Sequence, residues 1–335
     1  MPAVSHEPPS QMPPKLANVP AFPAVATKLL SLLSDEGSNF SSIAACIGTD
    51  AVLSGRLIKR ANAADQASYC EAKTVLQAVS ALGMERTREL SLAIATMGYA
   101  RGAVKTDLLK PCWDHALACA LLAADLARQC GQRPAEAYTA GLLHDIGRLG
   151  LLTAYPAEYA EIISGAESWP EDLLAREREV FGVDHVAAGG WLARQWQLPE
   201  SLVDVIARHH EPFKGELDMV ALVQIACRLA EYLGFVVTQS NTPRDLDEII
   251  APLPQSVRAQ VTRKIPVLLA GIAVEIRQFD DPDGASQAPS RRTEAEPEPT
   301  ENVADESPRS RAWLYGGVLV GIACVGAAAA ALLLR

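Results

Sequence analysis

Along most of this chain apolar residues recur three and four positions apart, and no stretch shows the strict alternation of a half-buried strand. In AFPAVATKLLSLLSDEG, Val25, Leu29 and Leu32 share one helical face ahead of an Asp/Gly stop. NFSSIAACIGTDAVLSGRLIKRANAA reads as two short helices broken at Gly48, Thr49 and Asp50. TVLQAVSALGMERTRELSLAIATMGYA reads as two more, with Gly83 as the punctuation. The same periodicity runs on from 108 to 279. There Pro111, Pro134, Pro170 and Pro199 stand at or near predicted helix starts, where a missing N–H costs little. The pattern predicts an all-α protein with an N-terminal helical bundle over 16–105 and a second helical subdomain over 106–279.

The periodicity fails in three places. Residues 1–15, MPAVSHEPPSQMPPK, are Pro-rich and polar, which predicts a disordered arm, and no secretory leader is expected of this stretch. Residues 280–310 carry five prolines, many carboxylates and few apolar side chains, so they are expected to form a disordered acidic linker. After it, in segment 311–335, WLYGGVLVGIACVGAAAAALLL offers 22 uncharged residues, enough to cross a bilayer core of about 30 Å. Trp313 and Tyr315 sit where an interfacial aromatic pair belongs. Arg309 and Arg311 precede the span, which predicts a single-pass anchor with the globular part in the cytoplasm. Gly317 and Gly321 form a GxxxG, the spacing of a close helix–helix contact and of homodimerisation.

Composition sharpens this. Aromatic residues are only 5% of the chain, and abundant Ala and Leu favour packed helices. The formal net charge is −10. Segment 280–308 holds nine acidic and two basic residues, and three further arginines follow, so residues 1–279 carry about −6. No nucleic-acid partner is expected of such a surface. RTREL, at 86–90, reads as a solvated helix face. Arg56, Lys59 and Arg60 lie within about one turn and make a candidate interaction face beside the plainer reading of a solvated one. Seven scattered cysteines without a CxxC pair fit reduced, packed thiols.

The candidate chemistry lies in the second subdomain. His115 lines up with Cys119, Leu122 and Leu126; His144 follows Ala137, Ala140 and Gly141. His185 shares a face with Gly189, Leu192 and Trp196, and His209, followed by His210, comes after Leu202, Val205 and Ile206. Any one inward histidine is an ordinary core residue. Four helices each presenting one, together with Asp145, match what a divalent iron, manganese, zinc or nickel ion requires, and a metal would supply the partners that buried polar groups need.

In their order, His115, His144-Asp145, His185 and His209-His210 resemble the HD superfamily of helical metal-dependent phosphohydrolases. More closely, LANVPAFPAVATKLLSLLSD, IGTDAVLSGRLIKRANAA, AGLLHDIGRLGLL and VDHVAAGGWLARQWQLPESLVDVIARHHEP resemble the HDOD family, the HD-related output domain of bacterial signalling proteins. The resemblance implies an all-α fold of two helical subdomains, the second a degenerate HD-type domain. It implies signal output through protein contacts, with no generally established catalysis, and the predicted tail anchor would place that output at the bacterial inner membrane. It also implies a ligand set of His115, His144, Asp145, His185, His209 and His210. The HD pattern closes that set with an aspartate, where this chain has Cys227. Arg148 replaces the lysine of HD-GYP phosphodiesterases, and HHEPFKGELD lacks their GYP motif. Arg148 is a candidate phosphate contact, although arginine is no tunable acid. Three readings stand: a non-catalytic module that binds an unidentified signalling protein, a metal-dependent phosphohydrolase of a nucleotide or phosphoester, and a nucleotide or metal sensor without turnover.

Overall fold

Helix ends here are set by local capping chemistry. In a computed structural model of the chain, residues 12–33, 38–64, 71–104, 106–164, 173–238 and 245–280 are described, and among them only helices occur. Five helices build the first half: α1 (Ala24–Leu33), α2 (Phe40–Ile47), α3 (Ala51–Ala64), α4 (Val75–Leu82) and α5 (Met84–Ala103). Asn39 with Ser42 and Thr74 with Gln77 form capping boxes that open α2 and α4. The Gly48–Asp50 break separates α2 from α3, and Asp50 Oδ1 accepts from Leu53 N at 2.9 Å. Gly83, at φ +77°, turns α4 into α5 in a conformation that disfavours a side chain.

The second half contains α6 (Leu109–Gln129), α7 (Pro134–Leu143), α8 (Ile146–Ala154), α9 (Pro156–Ser164) and α10 (Leu173–Phe181). It continues through α11 (His185–Gln195), α12 (Glu200–Arg208), α13 (Met219–Tyr232), α14 (Leu246–Ile250) and α15 (Gln255–Asp280). Helix α6 is central, packed against α7, α13, α15 and α8. One apolar core extends from Phe22 in the first half to Phe279 at the end of α15.

Three details differ from the sequence reading. Pro14 and Lys15, placed in the N-terminal arm, already belong to a 3-10 turn (Pro14–Asn18) that buries Leu16 against the second half. The RTREL stretch is not a solvated face: Thr87 and Glu89 are buried, and Arg86 joins Glu89 at 3.0 Å and pairs with Glu275 of α15. Burial pushes the Glu89 carboxyl upward, and Arg86 only partly offsets it. Arg60 is bound into the fold as well, hydrogen-bonded to Gln278 and lying 4.4 Å from the Phe279 ring centroid. Of that candidate face Lys59 is exposed and Arg56 half-buried. The predicted span with Trp313, Tyr315, Gly317 and Gly321 lies outside the described residues, as does most of the linker. Among the described residues no helix is long and apolar enough to cross a membrane.

Candidate metal centre

The histidines reach one point from four directions, mostly from helix ends rather than helix faces. His115 and Cys119 lie one turn apart on α6, and Cys227 is on α13. His144 and Asp145 form the joint between α7 and α8; His185 opens α11; His209 and His210 follow the last residue of α12. The helical-face reading of His144 and His209 thus needs correcting: each sits where its helix stops. The reason is local, because the final turn of a helix leaves carbonyls without intrahelical partners. His144 Nδ1 pairs with Gly141 O at 2.7 Å and His209 Nδ1 with Ile206 O at 2.9 Å, both three residues back. His115 Nδ1 meets Phe235 O at 2.8 Å, and His185 Nδ1 meets the Glu177 carboxylate at 2.7 Å. Carbonyl and carboxylate oxygens accept, so each Nδ1 is the donor, and each Nε2 is the nitrogen left to ligate.

All four Nε2 atoms converge on Asp145. Those of His185 and His209 stand 3.3 Å from Asp145 Oδ1, and those of His144 and His115 stand 3.7 and 3.9 Å from Oδ2. These five residues are between 1% and 8% exposed. Nε2 of His144, His185 and His209 and Oδ1 of Asp145 have no hydrogen-bond partner. An unsatisfied buried polar atom costs about 1–3 kcal/mol, so four facing one another call for a shared partner, and a cation fits a set made of lone pairs. The donors fall into two groups, each with ligating atoms within 4.8 Å of one another. One is Asp145, His185, His209 and the exposed His210; the other is His115, His144, Cys119 and Cys227.

Glycines permit the convergence. A Cβ on Gly141 would lie 2.8 Å from Cys119 O, one on Gly147 1.8 Å from His185 O, and one on Gly189 2.9 Å from the Ile206 side chain. Backbone contact of α7 with α6 and of α8 with α11, and the seating of α11 on α12, therefore require hydrogen at these positions. That proximity brings His144 to His115 and His185 to His209.

A second layer holds the first. Arg148 Nε donates to Asp145 Oδ2 at 2.7 Å, and its Nη1 lies 3.4 Å from the Tyr159 hydroxyl. Tyr159 donates to Glu177 Oε1 at 2.7 Å, and Glu177 Oε2 accepts from both the backbone N and Nδ1 of His185 at 2.7 Å. Arg148, Tyr159 and Glu177 are all buried. Burial alone would raise the Asp145 carboxyl, but Arg148 and the histidines outweigh it and hold it well below the usual range. Glu177 follows the same logic with His185 as the main opposing charge. Burial disfavours charge on His115, yet Cys227 and Asp145 raise it to about 9, a measure of how strongly the cluster draws positive charge. The guanidinium of Arg148, a candidate phosphate contact by sequence, points inward onto Asp145. Sequence reasoning missed Glu177, Tyr159 and Cys119. Glu177 was hidden in the charged run LLAREREVF; the i, i+4 spacing of Cys119 from His115 was the available signal.

Comparison with known proteins agrees with the all-helical fold. The HDOD domain family model matches residues 19–212. An uncharacterized protein of Treponema pallidum is 26% identical over 243 residues, which are 69% of this chain and 46% of that protein, so the chain spans about half the length of this curated relative. A crystal structure of a candidate phosphohydrolase from Shewanella amazonensis is 27% identical with a TM-score of 0.56, covering 80% of this chain and 93% of that one. An HDOD domain protein of unknown function from Geobacter sulfurreducens shares the fold at 21% identity and a TM-score of 0.65, covering 76% and 92%.

Proposed function

This chain belongs to the HDOD family, and from that premise we propose that it is a bacterial signalling module that works by binding a partner protein. Its buried His–Asp cluster holds a divalent cation without turning over a phosphoester. The observation that carries this reading is closure. Every ligand but His210 is buried. The guanidinium of Arg148 is already committed to Asp145. Asp145, His185, His209 and His210 would hold the cation, with His115 and His144 in the adjoining group of donors, and metal at the cluster would cross-link four parts of the helical fold that packing alone leaves with facing lone pairs. In this reading the segment 313–334 anchors the module in the inner membrane, its globular part in the cytoplasm, and Gly317 and Gly321 allow the anchors to pair.

The test is affinity capture of the full chain from detergent-solubilised membranes, with metal analysis of the same sample. A defined protein partner and stoichiometric metal, with no hydrolysis across a panel of nucleotides and phosphoesters, is the expected result. Turnover by the metal-loaded protein would replace this reading with a second one. That alternative, a metal-dependent phosphohydrolase, draws on the solvent-facing edge that His210 gives to the Asp145 group and on the likeness to the Shewanella protein. A cation held by Asp145, His185, His209 and His210 would supply Lewis acidity there. Ligand-dependent change in partner capture without product would mark a sensor.

A further inference from the structure

The two donor groups differ in chemistry. Asp145 Oδ2 is taken by Arg148, so that carboxylate offers its free oxygen, Oδ1, to His185 and His209 and not to the other group. The other group has no carboxylate of its own: it holds two imidazoles, His115 and His144, and two thiols, Cys119 and Cys227. From this we infer that His115, Cys119, His144 and Cys227 form a closed Cys2His2 zinc site, distinct in ligand type from the Asp145 group. The inference rests on the reading that the cluster holds a cation.

Distances favour zinc ligation over simple packing. Both Sγ atoms lie 3.5 Å from His115 Nε2. Tetrahedral zinc, with Zn–N of about 2.0 Å and Zn–S of about 2.3 Å, places neighbouring N and S ligands about 3.5 Å apart. A hydrogen bond explains less: one ring nitrogen takes one thiol proton, the second thiol is left with the first sulfur as its partner, and His144 Nε2 has no hydrogen bond. Thiolates select zinc or iron over manganese and magnesium, and a buried set of four with no open position is a structural rather than a hydrolytic site. The ligands come from α6, the α7–α8 joint and α13, so the ion would tie together the helices at the centre of the fold.

Cobalt substitution tests this on the full, detergent-solubilised chain. Co²⁺ is expected to show thiolate-to-metal charge transfer in the near ultraviolet and tetrahedral visible bands. The charge-transfer intensity should fall to about half in Cys119→Ser and in Cys227→Asp, which puts an oxygen donor in place of the sulfur, and vanish in the double variant. Cys130→Ser, at the half-exposed end of α6, should leave it unchanged. Circular dichroism checks that each variant folds, and Cys119→Ser, the nearly isosteric change, decides if the aspartate variant does not. Cobalt bound in octahedral form without charge transfer overturns the thiolate site while leaving the Asp145 group as a cation site. No bound cobalt at all overturns both.

Discussion

Glu177 shows how much of this centre depends on a residue that touches no ion. Its carboxylate fixes His185 through both the ring Nδ1 and the backbone N–H, and Tyr159 and Arg148 link it back to Asp145. Replacing it with glutamine keeps the volume and removes the charge, so cation affinity should fall about 10- to 100-fold with helix content unchanged. Competition against a chromophoric chelator measures this, and an affinity equal to that of the parent would remove Glu177 from the centre. The buried imidazoles give the metal-free protein a pH signature. The ordinary value of His115 is 6.5 and its folded value about 9, with burial opposing and Cys227 favouring the charged form. A folded value above the unfolded one means that the native state binds the extra proton. The associated stability is complete below pH 6.5 and is lost as pH rises through 9. His144 is raised too and adds in the same sense. His209 is lowered, so its contribution is lost instead as pH falls below the ordinary imidazole range. Cys227, the thiol that raises His115, is itself held well below its ordinary value of 9, so the proton the native state gains on His115 it gives up on Cys227, and the two offset between pH 6.5 and 9. Urea midpoints of chelator-treated protein should therefore decline over that range only through His144, and His144→Gln should flatten the decline.

At the scale of helices, the crossings are set by what glycine leaves out. Gly147→Ala would drive a methyl group to within 1.8 Å of His185 O, a contact with backbone that no rotamer relieves. The α8–α11 crossing must open, at a cost of about 3 kcal/mol or more, and His185 moves away from Asp145 as it does. Gly98→Ala on α5 is the counterpart: nothing lies within 4 Å of its Cβ, the site is exposed, and the change should stabilise by about 0.5–1 kcal/mol. Chemical denaturation of the two variants gives opposite shifts, and equal shifts would mean that close approach is not what Gly147 provides. The contrast also marks what was legible beforehand. The breaks at Gly48–Asp50 and Gly83 were readable because they are decided within a few residues of chain. The inward histidines were readable because burial follows helical period. That His144 and His209 close their helices was not, since it depends on a ring reaching a carbonyl three residues back. Gly141, Gly147 and Gly189 carried no signal, because a close approach exists only once the partner helix is in place. Glu177 and Arg86 sat in charged runs that resemble solvated faces until α11 and α15 cover them.

For the whole molecule, α15 decides whether the two helical halves behave as one. It buries Val257, Val261, Ile272, Ile276 and Phe279. Its last turns reach the first half and the start of α6 together: Glu275 pairs with Arg86, Phe279 O accepts from Arg101 at 2.9 Å, and the Phe279 ring packs 5.3 Å from that of Trp113. Asp280 adds a contact to Lys110 at 2.8 Å, which is exposed and worth little by itself. A single core running from Phe22 to Phe279 implies that the halves unfold in one transition, not in sequence. Phe279→Ala removes the ring that Arg60 and Trp113 both cover, and a buried phenylalanine truncated to alanine costs about 3–5 kcal/mol. Hydrogen exchange under native conditions measures how that loss is distributed. Amides of α3 and α5 in the first half and of α12 and α13 in the second should lose protection by the same factor, since both sets open only with the common core. Loss confined to α3 and α5, with α12 and α13 as protected as in the parent, would show instead that the second half is a separate folding unit and that α15 merely rests on the first.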